Sequence, residues 1–227
     1  MRVLVTGANR GIGHELVRHL VERGDEVDAV SRTAAEIMYE DTTTDSKVRT
    51  FRCDIADDSS VRALVADLGD AAIDMVINNA GVGGGPRQSL RDLDFAEALR
   101  TYNVDALGAL RVSLALLPHL RRGAVKKLVH VTSGLGSIAD NRSGGSYAYR
   151  MAKAALNMMS KNLAVELRGE GIISLVVSPG WVQTDMGGPH AAITPQESVR
   201  GMLRAIESAT INESGEFLDW KGGRYPY

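Results

Sequence analysis

Several features that define specialised protein classes are scarce in this sequence. Cys53 is the single cysteine, so the chain cannot form an internal disulfide, and a reducing cytoplasmic location is expected. With 26 basic against 28 acidic residues the net charge is -2, and without a basic excess we expect no nucleic-acid partner. The five histidines have no cysteine or histidine neighbours at metal-ligand spacing, so we predict no metal site.

Long apolar runs are also missing. The amino terminus, MRVLVTGANRG, has an apolar run of three residues, which is too short for a signal peptide or a membrane segment, and no later segment is long and apolar enough either. Hydrophobic residues make up 44% and charged residues 24% of 227 residues, which is ordinary for a globular protein. With no linker or repeat, we predict one domain covering 1–227.

What the sequence has is a regular alternation of short apolar runs with amphipathic stretches. Strands this apolar are buried on both faces, which favours a parallel sheet covered by helices. We therefore predict an α/β fold: a single-domain, Rossmann-like, doubly wound parallel sheet of about seven strands with helices on both faces. The predicted strands are 3–5, 27–30, 48–53, 73–78, 127–133, 172–178 and 216–218. The predicted helices are 12–22, 58–68, 89–120, 147–168 and 195–209, with a short or irregular second crossover in 33–47.

Three glycines lie between the first strand and the first helix. Gly7, Gly11 and Gly13 of TGANRGIG would let the backbone turn sharply beside the free N–H groups of a helix amino terminus, an arrangement that binds a pyrophosphate. The alternative is that they are turn glycines without a ligand.

The residues at the end of the second strand bear on cofactor choice. An NAD site places an acidic residue there for the ribose 2′-hydroxyl, whereas this strand ends in Ser31 and Arg32. Together with Arg10 they suit the 2′-phosphate of NADP(H), unless both arginines are only solvated surface residues. Asp54, after the third strand, either accepts from the adenine amino group or caps the next helix.

Tyr149 and Lys153 lie four residues apart in YRMAK, so their side chains share one helix face. A nearby ammonium favours the phenolate, and the phenol could then exchange a proton with a carbonyl or alcohol oxygen. By itself this pair occurs in any amphipathic helix. Ser133 ends the fifth strand in VTSGLGS and could hold the same substrate oxygen. Asn103 is a poor helix former inside a helical region. Either a local break there holds a water beside the lysine, or Asn103 is an ordinary polar helix residue.

Five motifs occur in an order that closely resembles the short-chain dehydrogenase/reductase family. They are TGANRGIG, NNAG, the Asn of TYNVDALG, the Ser of VTSGLGS and YRMAK. The resemblance spans nearly the whole chain. It implies that Ser133 positions the substrate oxygen and that Tyr149 is the acid/base. It also implies that Lys153 assists Tyr149 and binds the nicotinamide ribose, and that Asn103 anchors a water relay.

A narrower resemblance is to the branch that contains C-factor and the sniffer-type carbonyl reductases, carried by PGWVQTDMGGP and ESVRGMLRAI. It implies nicotinamide contacts after Pro179 and Gly180. The segment 185–194 is the predicted lid. Trp181 is either at the pocket edge, which we favour, or in the core. The full set of predicted cofactor residues is Gly7, Asn9, Arg10, Gly11, Ile12, Gly13, Ser31, Arg32, Asp54, Ile55, Asn79, Ala80, Gly81, Tyr149, Lys153, Pro179, Gly180, Val182 and Thr184.

The resemblance therefore implies an NADP(H)-dependent oxidoreductase that transfers hydride between the nicotinamide and a small carbonyl or alcohol substrate. The alternative is a C-factor-like signalling or developmental protein that binds the cofactor and turns over incidentally. Family members often pair through the helices corresponding to 89–120 and 147–168, so a homo-oligomer, a dimer or tetramer, is expected.

Overall fold

A computed structural model describes residues 1–33 and 47–227 of the chain. Its described strands form one parallel sheet in the order β3-β2-β1-β4-β5-β6-β7. The strands are β1 Arg2–Thr6, β2 Glu26–Ser31, β3 Val48–Arg52, β4 Met75–Asn78, β5 Lys127–Val131, β6 Ile173–Ser178 and β7 Phe217–Asp219. The predicted doubly wound sheet of about seven strands is confirmed, while the crossover predicted in 33–47 lies mostly outside the described residues.

Helices connect the strands and cover both faces of the sheet. They are α1 Gly11–Glu22, α2 Asp58–Leu68, α3 Phe95–Tyr102, α4 Ala109–Arg122, α5 Tyr147–Glu166 and α6 Pro195–Ser208. Helices α1 and α6 pack on one face, where Leu16 and Met202 are fully buried. On the other face α2, α4 and α5 bury side chains such as Leu64, Leu116 and Leu156. Among the described residues, no helix combines the length and apolar character needed to cross a membrane.

The strands are apolar because most of them are covered by helices on both sides. All residues of β4, β5 and β6 are buried, whereas β3, an edge strand, is half-buried or exposed along its length. Burying an aliphatic side chain stabilises the folded state by about 1.5–3 kcal/mol relative to leaving it in water. The most apolar strands therefore occupy the centre of the sheet, where helices cover both faces.

The long helical region predicted at 89–120 starts later and is interrupted. The Asp94 carboxylate caps α3 by accepting from the Glu97 N–H at 3.1 Å, and Ser89 and Asp92 form a turn before it. A π-helical segment, Asn103–Gly108, then separates α3 from α4. The expectation that the helical region begins at 89 was wrong because the capping Asp94 fixes the first turn, whereas the local break that was one explanation for Asn103 does begin at that residue.

The sheet order reverses direction at β1. Because β1 lies between β2 and β4, the connections from these strands leave in opposite directions and open a crevice at the carboxyl edge. The loops after β1, β4, β5 and β6 border this crevice, and they carry the motifs that the sequence singled out.

Candidate active site

The glycine loop after β1 leaves no room for side chains. Gly7 has a φ of +67°, and a Cβ there would lie 2.8 Å from the Ala80 Cα. A Cβ on Gly13 would lie 2.1 Å from the Gly7 carbonyl oxygen. The first turn of α1 therefore packs directly on the loop, with its amino terminus facing the crevice, and this backbone cradle fits a dinucleotide pyrophosphate.

Asn79 fixes the glycine loop to the neighbouring strand. Its Nδ2 donates to the carbonyl oxygens of Thr6 at 3.0 Å and Gly7 at 3.3 Å. The Thr6 hydroxyl in turn accepts from the backbone N–H groups of Asn79 and Ala80, both at 3.1 Å. The two loops that border the crevice at the reversal point are thus one hydrogen-bonded unit.

The loop after β6 reaches across to the glycine loop. Thr184 lies 3.4 Å from a Cβ built on Gly11, and the Arg10 guanidinium donates to the Asp185 carboxylate at 2.8 Å. Both partners of this ion pair are largely exposed, so its contribution to stability is small. Arg10, predicted as a 2′-phosphate ligand, therefore has a carboxylate partner in this structure.

The predicted lid, 185–194, is held by hydrogen bonds to the residues just before it. Trp181 Nε1 donates to the Gly187 carbonyl at 2.8 Å, and the Thr184 hydroxyl accepts from the Gly187 N–H at 3.2 Å. The Trp181 ring is 58% exposed, which excludes the core alternative for this residue.

A cavity of about 450 Å³ opens beyond the carboxyl ends of β2 and β3. Arg52 lines this cavity together with Arg32 but was not predicted from the sequence. Its position two residues before Asp54 was the signal that could have identified it. The cavity lining is Arg32, Arg52, Asp54, Asp57, Ser59, Ser60 and Ala63.

The next helix, α2, is capped by Asp57, whose carboxylate accepts from the Ser59 N–H at 2.7 Å. The capping alternative for Asp54 was therefore wrong. The Asp54 side chain instead accepts from the Ala56 N–H at 2.9 Å and lines the cavity. Two arginines and a carboxylate at this end fit an adenosine carrying a phosphate.

Lys153 lies on α5 with its ammonium deep under the crevice. Its side chain is 5% exposed, and Nζ donates to the Val131 carbonyl at 3.2 Å. The same Nζ lies 5.5 Å from the centroid of the Tyr149 ring. Tyr149, half-buried one turn earlier, thus lies over a buried cation, as the four-residue spacing predicted.

The carboxylate of Asp105, which the sequence analysis missed, lies next to this lysine. Asp105 Oδ2 is 3.2 Å from Lys153 Nζ, and Oδ1 accepts from the Val82 N–H at 2.8 Å. The sequence did offer a signal for Asp105, because it is an ionisable residue two positions after Asn103, in a helical segment where a local break was considered.

Asn103 itself points elsewhere. Its amide oxygen accepts from Arg111 at 2.8 Å, and its Nδ2 donates to the Ala56 carbonyl at 3.4 Å. The structure therefore brings Asn103 to the loop after β3. The water relay that the resemblance implies for Asn103 stays a prediction.

The two charges of this pair influence each other strongly. Burial raises the pKa of Asp105, although the Lys153 ammonium opposes that shift. Burial by itself would lower the pKa of Lys153, but the Asp105 carboxylate and Tyr149 outweigh it and raise that pKa. The arrangement thus keeps Lys153 protonated.

Ser133 lies two residues beyond Val131, the last residue of β5. Its hydroxyl accepts from the Leu135 N–H at 3.1 Å, and it is half-buried. Three residues on, a Cβ on Gly136 would lie 2.9 Å from the Lys153 Cβ, so the loop after Ser133 packs directly on α5.

The start of α5 is fixed by unusual backbone. Gly144, Gly145 and Ser146 have φ values of +62°, +68° and +47°, directly before the first residue of the helix. The Tyr149 N–H donates to the Gln88 side chain at 3.0 Å. Together these features set where the helix begins and hence where Tyr149 lies.

A second buried polar group lies below the site. His130 on β5 is fully buried, and its Nδ1 is 3.2 Å from Asn78 Nδ2, which also donates to the Ser113 hydroxyl at 3.0 Å. Its other ring nitrogen is 3.5 Å from the Ser174 hydroxyl. Burial lowers the pKa of His130 to about 3, so this imidazole is neutral.

The remaining predicted cofactor residues lie along the same edge. Ile55, Pro179 and Val182 are buried, and Pro179 accepts from the Ser198 hydroxyl at 2.7 Å. Asn9, Ile12, Ala80 and Gly81 are half-buried in the two joined loops, while Gly180 is exposed with a φ of +81°. Within the described ranges, there is no group of three or more His, Cys, Asp or Glu side chains arranged to hold a metal ion.

Comparison with known proteins identifies the family. The profile described as "short chain dehydrogenase" matches residues 1–192. The chain belongs to the short-chain dehydrogenase/reductase family. C-signal of Myxococcus xanthus is 48% identical over 167 residues, which cover 74% of this chain and 100% of that protein. The "1-hydroxy-2-glutathionyl-2-methyl-3-butene dehydrogenase" of Rhodococcus sp. is 36% identical over 95% of this chain and 94% of that one.

Solved structures of short-chain dehydrogenases match the whole fold. The NADPH-bound carbonyl reductase from chicken fatty liver is 30% identical with a TM-score of 0.92, covering 100% of this chain and 98% of that chain. The carbonyl reductase Sniffer of D. melanogaster is 27% identical with a TM-score of 0.91, covering 100% and 99%. The resemblance read from the motifs is thereby confirmed: the chain is an oxidoreductase of the short-chain dehydrogenase/reductase family, and its structural neighbours include carbonyl reductases.

Proposed function

We propose that this short-chain dehydrogenase transfers hydride between NADP(H) and a small carbonyl or alcohol substrate, with Tyr149 as the acid/base. The observation that carries the proposal is the buried ammonium of Lys153, whose Nζ lies 5.5 Å from the centroid of the Tyr149 ring. A cation removed from water is worth far more to a developing phenolate than the same cation at the surface.

The proton chemistry follows from this pair. In the direction of reduction, the Tyr149 hydroxyl gives its proton to the substrate carbonyl oxygen, and the Lys153 ammonium stabilises the phenolate that remains. Ser133, at the end of β5, would hold the same oxygen through its hydroxyl. In oxidation the phenolate takes the alcohol proton back. When bound, the nicotinamide supplies or accepts the hydride.

The remaining residues would hold the cofactor. The cradle of Gly7, Gly11 and Gly13 suits the pyrophosphate, and Arg32 and Arg52 suit a 2′-phosphate at the far end of the crevice. The neighbouring carbonyl reductase from chicken is bound to NADPH, which supports this choice. Lys153 has a third N–H for a ribose hydroxyl. The other predicted cofactor contacts belong to the same proposal, as does the lid role of 185–194.

The test compares wild type with Tyr149→Phe. NADPH absorbance is followed with a panel of aldehydes and ketones, and loss of the phenol proton donor should lower kcat by about 100-fold or more. The Tyr147→Phe variant, on the same helix, is the matched control and should keep its activity. Equal activity in wild type and Tyr149→Phe would remove Tyr149 from the mechanism.

A second candidate function is a signalling or developmental role, favoured by the 48% identity to C-signal of Myxococcus xanthus. In that case the folded protein, not its turnover, matters. A gene deletion that is rescued by the Tyr149→Phe variant would support signalling, whereas rescue by the active protein alone would support catalysis.

The proposal extends to assembly and location. Helices α3 and α5 pack side by side and leave an apolar surface exposed, which suits pairing of two copies into a dimer or tetramer. Its exposed side chains are Phe95, Leu99, Met151, Met158 and Val165. Sedimentation velocity would show a species of twice the chain mass or more.

We propose a cytoplasmic location, which suits the single free cysteine.

A further inference from the structure

Asp105 is a buried charge that the proposed proton transfer leaves without a role. Asp105 lies in the π-helical segment with its side chain fully buried, and its carboxylate contacts two different parts of the site. Oδ1 accepts from the Val82 N–H, which follows the NNAG loop, and Oδ2 lies 3.2 Å from Lys153 Nζ. A carboxylate buried for packing alone would cost several kcal/mol, so its pairing with the proposed catalytic lysine calls for a functional explanation.

The surroundings favour an ion pair of Asp105 and Lys153. Among the described residues, the other charged group acting on Asp105 is Arg100 of α3, whose guanidinium is engaged by Glu97. Tyr149 faces the lysine from its own helix. His130, on the strand beneath, is neutral. The ammonium of Lys153 thus lies between one carboxylate and one phenol.

We propose that Asp105 is a positioning residue for proton transfer: its carboxylate fixes the Lys153 ammonium beside Tyr149 and offsets part of that ammonium's attraction for a phenolate. The inference rests on the proposed function of Tyr149 and deepens it. Gly81 gives independent geometric support, since a Cβ there would lie 3.3 Å from both Asp105 Oδ2 and Lys153 Nζ. The loop after β4 therefore closes directly over the pair.

The consequence concerns the direction of the reaction. With the carboxylate present, the Tyr149 phenol keeps its proton to higher pH, which suits donation to a carbonyl. Without the carboxylate, the unopposed ammonium of Lys153 would stabilise the Tyr149 phenolate more strongly, so the phenol would lose its proton at lower pH and alcohol oxidation would be favoured. A unit charge several Å away, at an effective dielectric constant of about 20, shifts such an equilibrium by on the order of one pH unit.

The experiment uses Asp105→Asn, which keeps the side-chain size and an acceptor for the Val82 N–H. The appearance of tyrosinate is followed by near-ultraviolet absorbance against pH, and the contribution of Tyr149 is isolated by subtracting the matching Tyr149→Phe protein. Burial raises the pKa of Tyr227 to about 12, so this tyrosine titrates later. We expect the Tyr149 midpoint to move about one pH unit lower in Asp105→Asn.

The control is Asp28→Asn, which removes another buried carboxylate, located on β2 and paired with Arg2 and Arg49 of the neighbouring strands. It should leave the midpoint unchanged. If Asp105→Asn does not fold, Asp105→Ser removes the same charge and should shift the midpoint in the same direction.

The kinetic counterpart is the pH profile of kcat for alcohol oxidation, which should move with the midpoint while KM changes little. A midpoint that stays in place, or moves to higher pH, in both Asp105 variants overturns the proposal. A shifted midpoint in a protein that reduces no carbonyl would support the role of Asp105 and contradict the proposed function, so the two failures are distinguishable.

Discussion

Lys153 and His130 are both buried, basic and close to β5, yet the protein treats them in opposite ways. Lys153 keeps its charge beside the Asp105 carboxylate, whereas His130 is surrounded by hydroxyl and amide groups and stays neutral. The first arrangement holds an ammonium ion where a phenolate can form. In the second, hydrogen bonds pair the buried polar groups of the interior. Burial therefore decides little by itself, and the partner decides whether a buried base can take part in chemistry.

The largest effect should come from breaking the charged arrangement. Lys153→Met leaves the Asp105 carboxylate buried without its cation and removes the partner of Tyr149. We expect the free energy of unfolding to fall by about 3–5 kcal/mol and kcat to fall at least 100-fold. Urea unfolding and the NADPH assay measure the two effects.

A double variant separates stability from catalysis. Lys153→Met with Asp105→Asn should regain stability but not activity, because the stranded charge is gone while the ammonium is still missing. Lys161→Met, a lysine of the same helix, is the control and should retain activity. If the double variant is no more stable than Lys153→Met, the two side chains do not form an ion pair in solution.

The neutral His130 should instead affect how the free energy of unfolding changes at acidic pH. Because burial lowers the pKa of His130 from 6.5 to about 3, the folded state binds fewer protons than the unfolded state between these values. Stability from this group is complete above about pH 6.5 and falls by about 1.4 kcal/mol for each pH unit below it. Urea unfolding at a series of pH values measures this slope.

The comparison variant is His130→Gln, which should be less stable at neutral pH but show a shallower loss of stability toward acid. His119, whose pKa is also lowered by burial, is unchanged in both proteins, so the difference in slope isolates His130. The exposed His190→Gln is the control. Identical slopes for wild type and His130→Gln would mean that His130 binds a proton as readily in the folded state as in the unfolded state, which would contradict the lowered pKa.

The smallest effect concerns a cation that is exposed. Arg32 has water on one side and the cavity on the other, so its substitution alters ligand choice more than folding. Arg32→Asp should weaken NADPH binding about tenfold more than NADH binding, measured by calorimetric titration of both cofactors. Arg204→Asp, on α6, is the control. Equal weakening of both affinities would contradict the 2′-phosphate assignment.

Much of the fold was predictable because it depends on local patterns. The apolar runs located all seven strands to within about two residues, and the predicted bounds of α2 match the structure. The error at 89–94 arose because apolar spacing continues through Leu90 and Leu93, while the capping Asp94 decides where α3 begins. Apolar periodicity predicts which face of a helix is buried, but the residue at which the helix begins depends on a single polar capping residue.

The site was predictable only where a residue acts within its own motif. Lys153 and Tyr149 meet because they are four residues apart on one helix. The Asp105 contact, by contrast, depends on how a π-helical segment turns its side chains and on the packing of α3 and α4 against α5. The pairing of Arg10 with Asp185 spans 175 residues and depends on two loops. No local pattern carries that information.

The strand order also determines when the charged pair can exist. Asp105, Val131 and Lys153 belong to three different elements, all on the side of β1 that begins with β4. A chain emerging from the ribosome can pair β1 with β2, and β2 with β3, long before any of these three residues is made. The two charges can therefore pair only after α5 has left the exit tunnel, and the docking of α5 removes them from water.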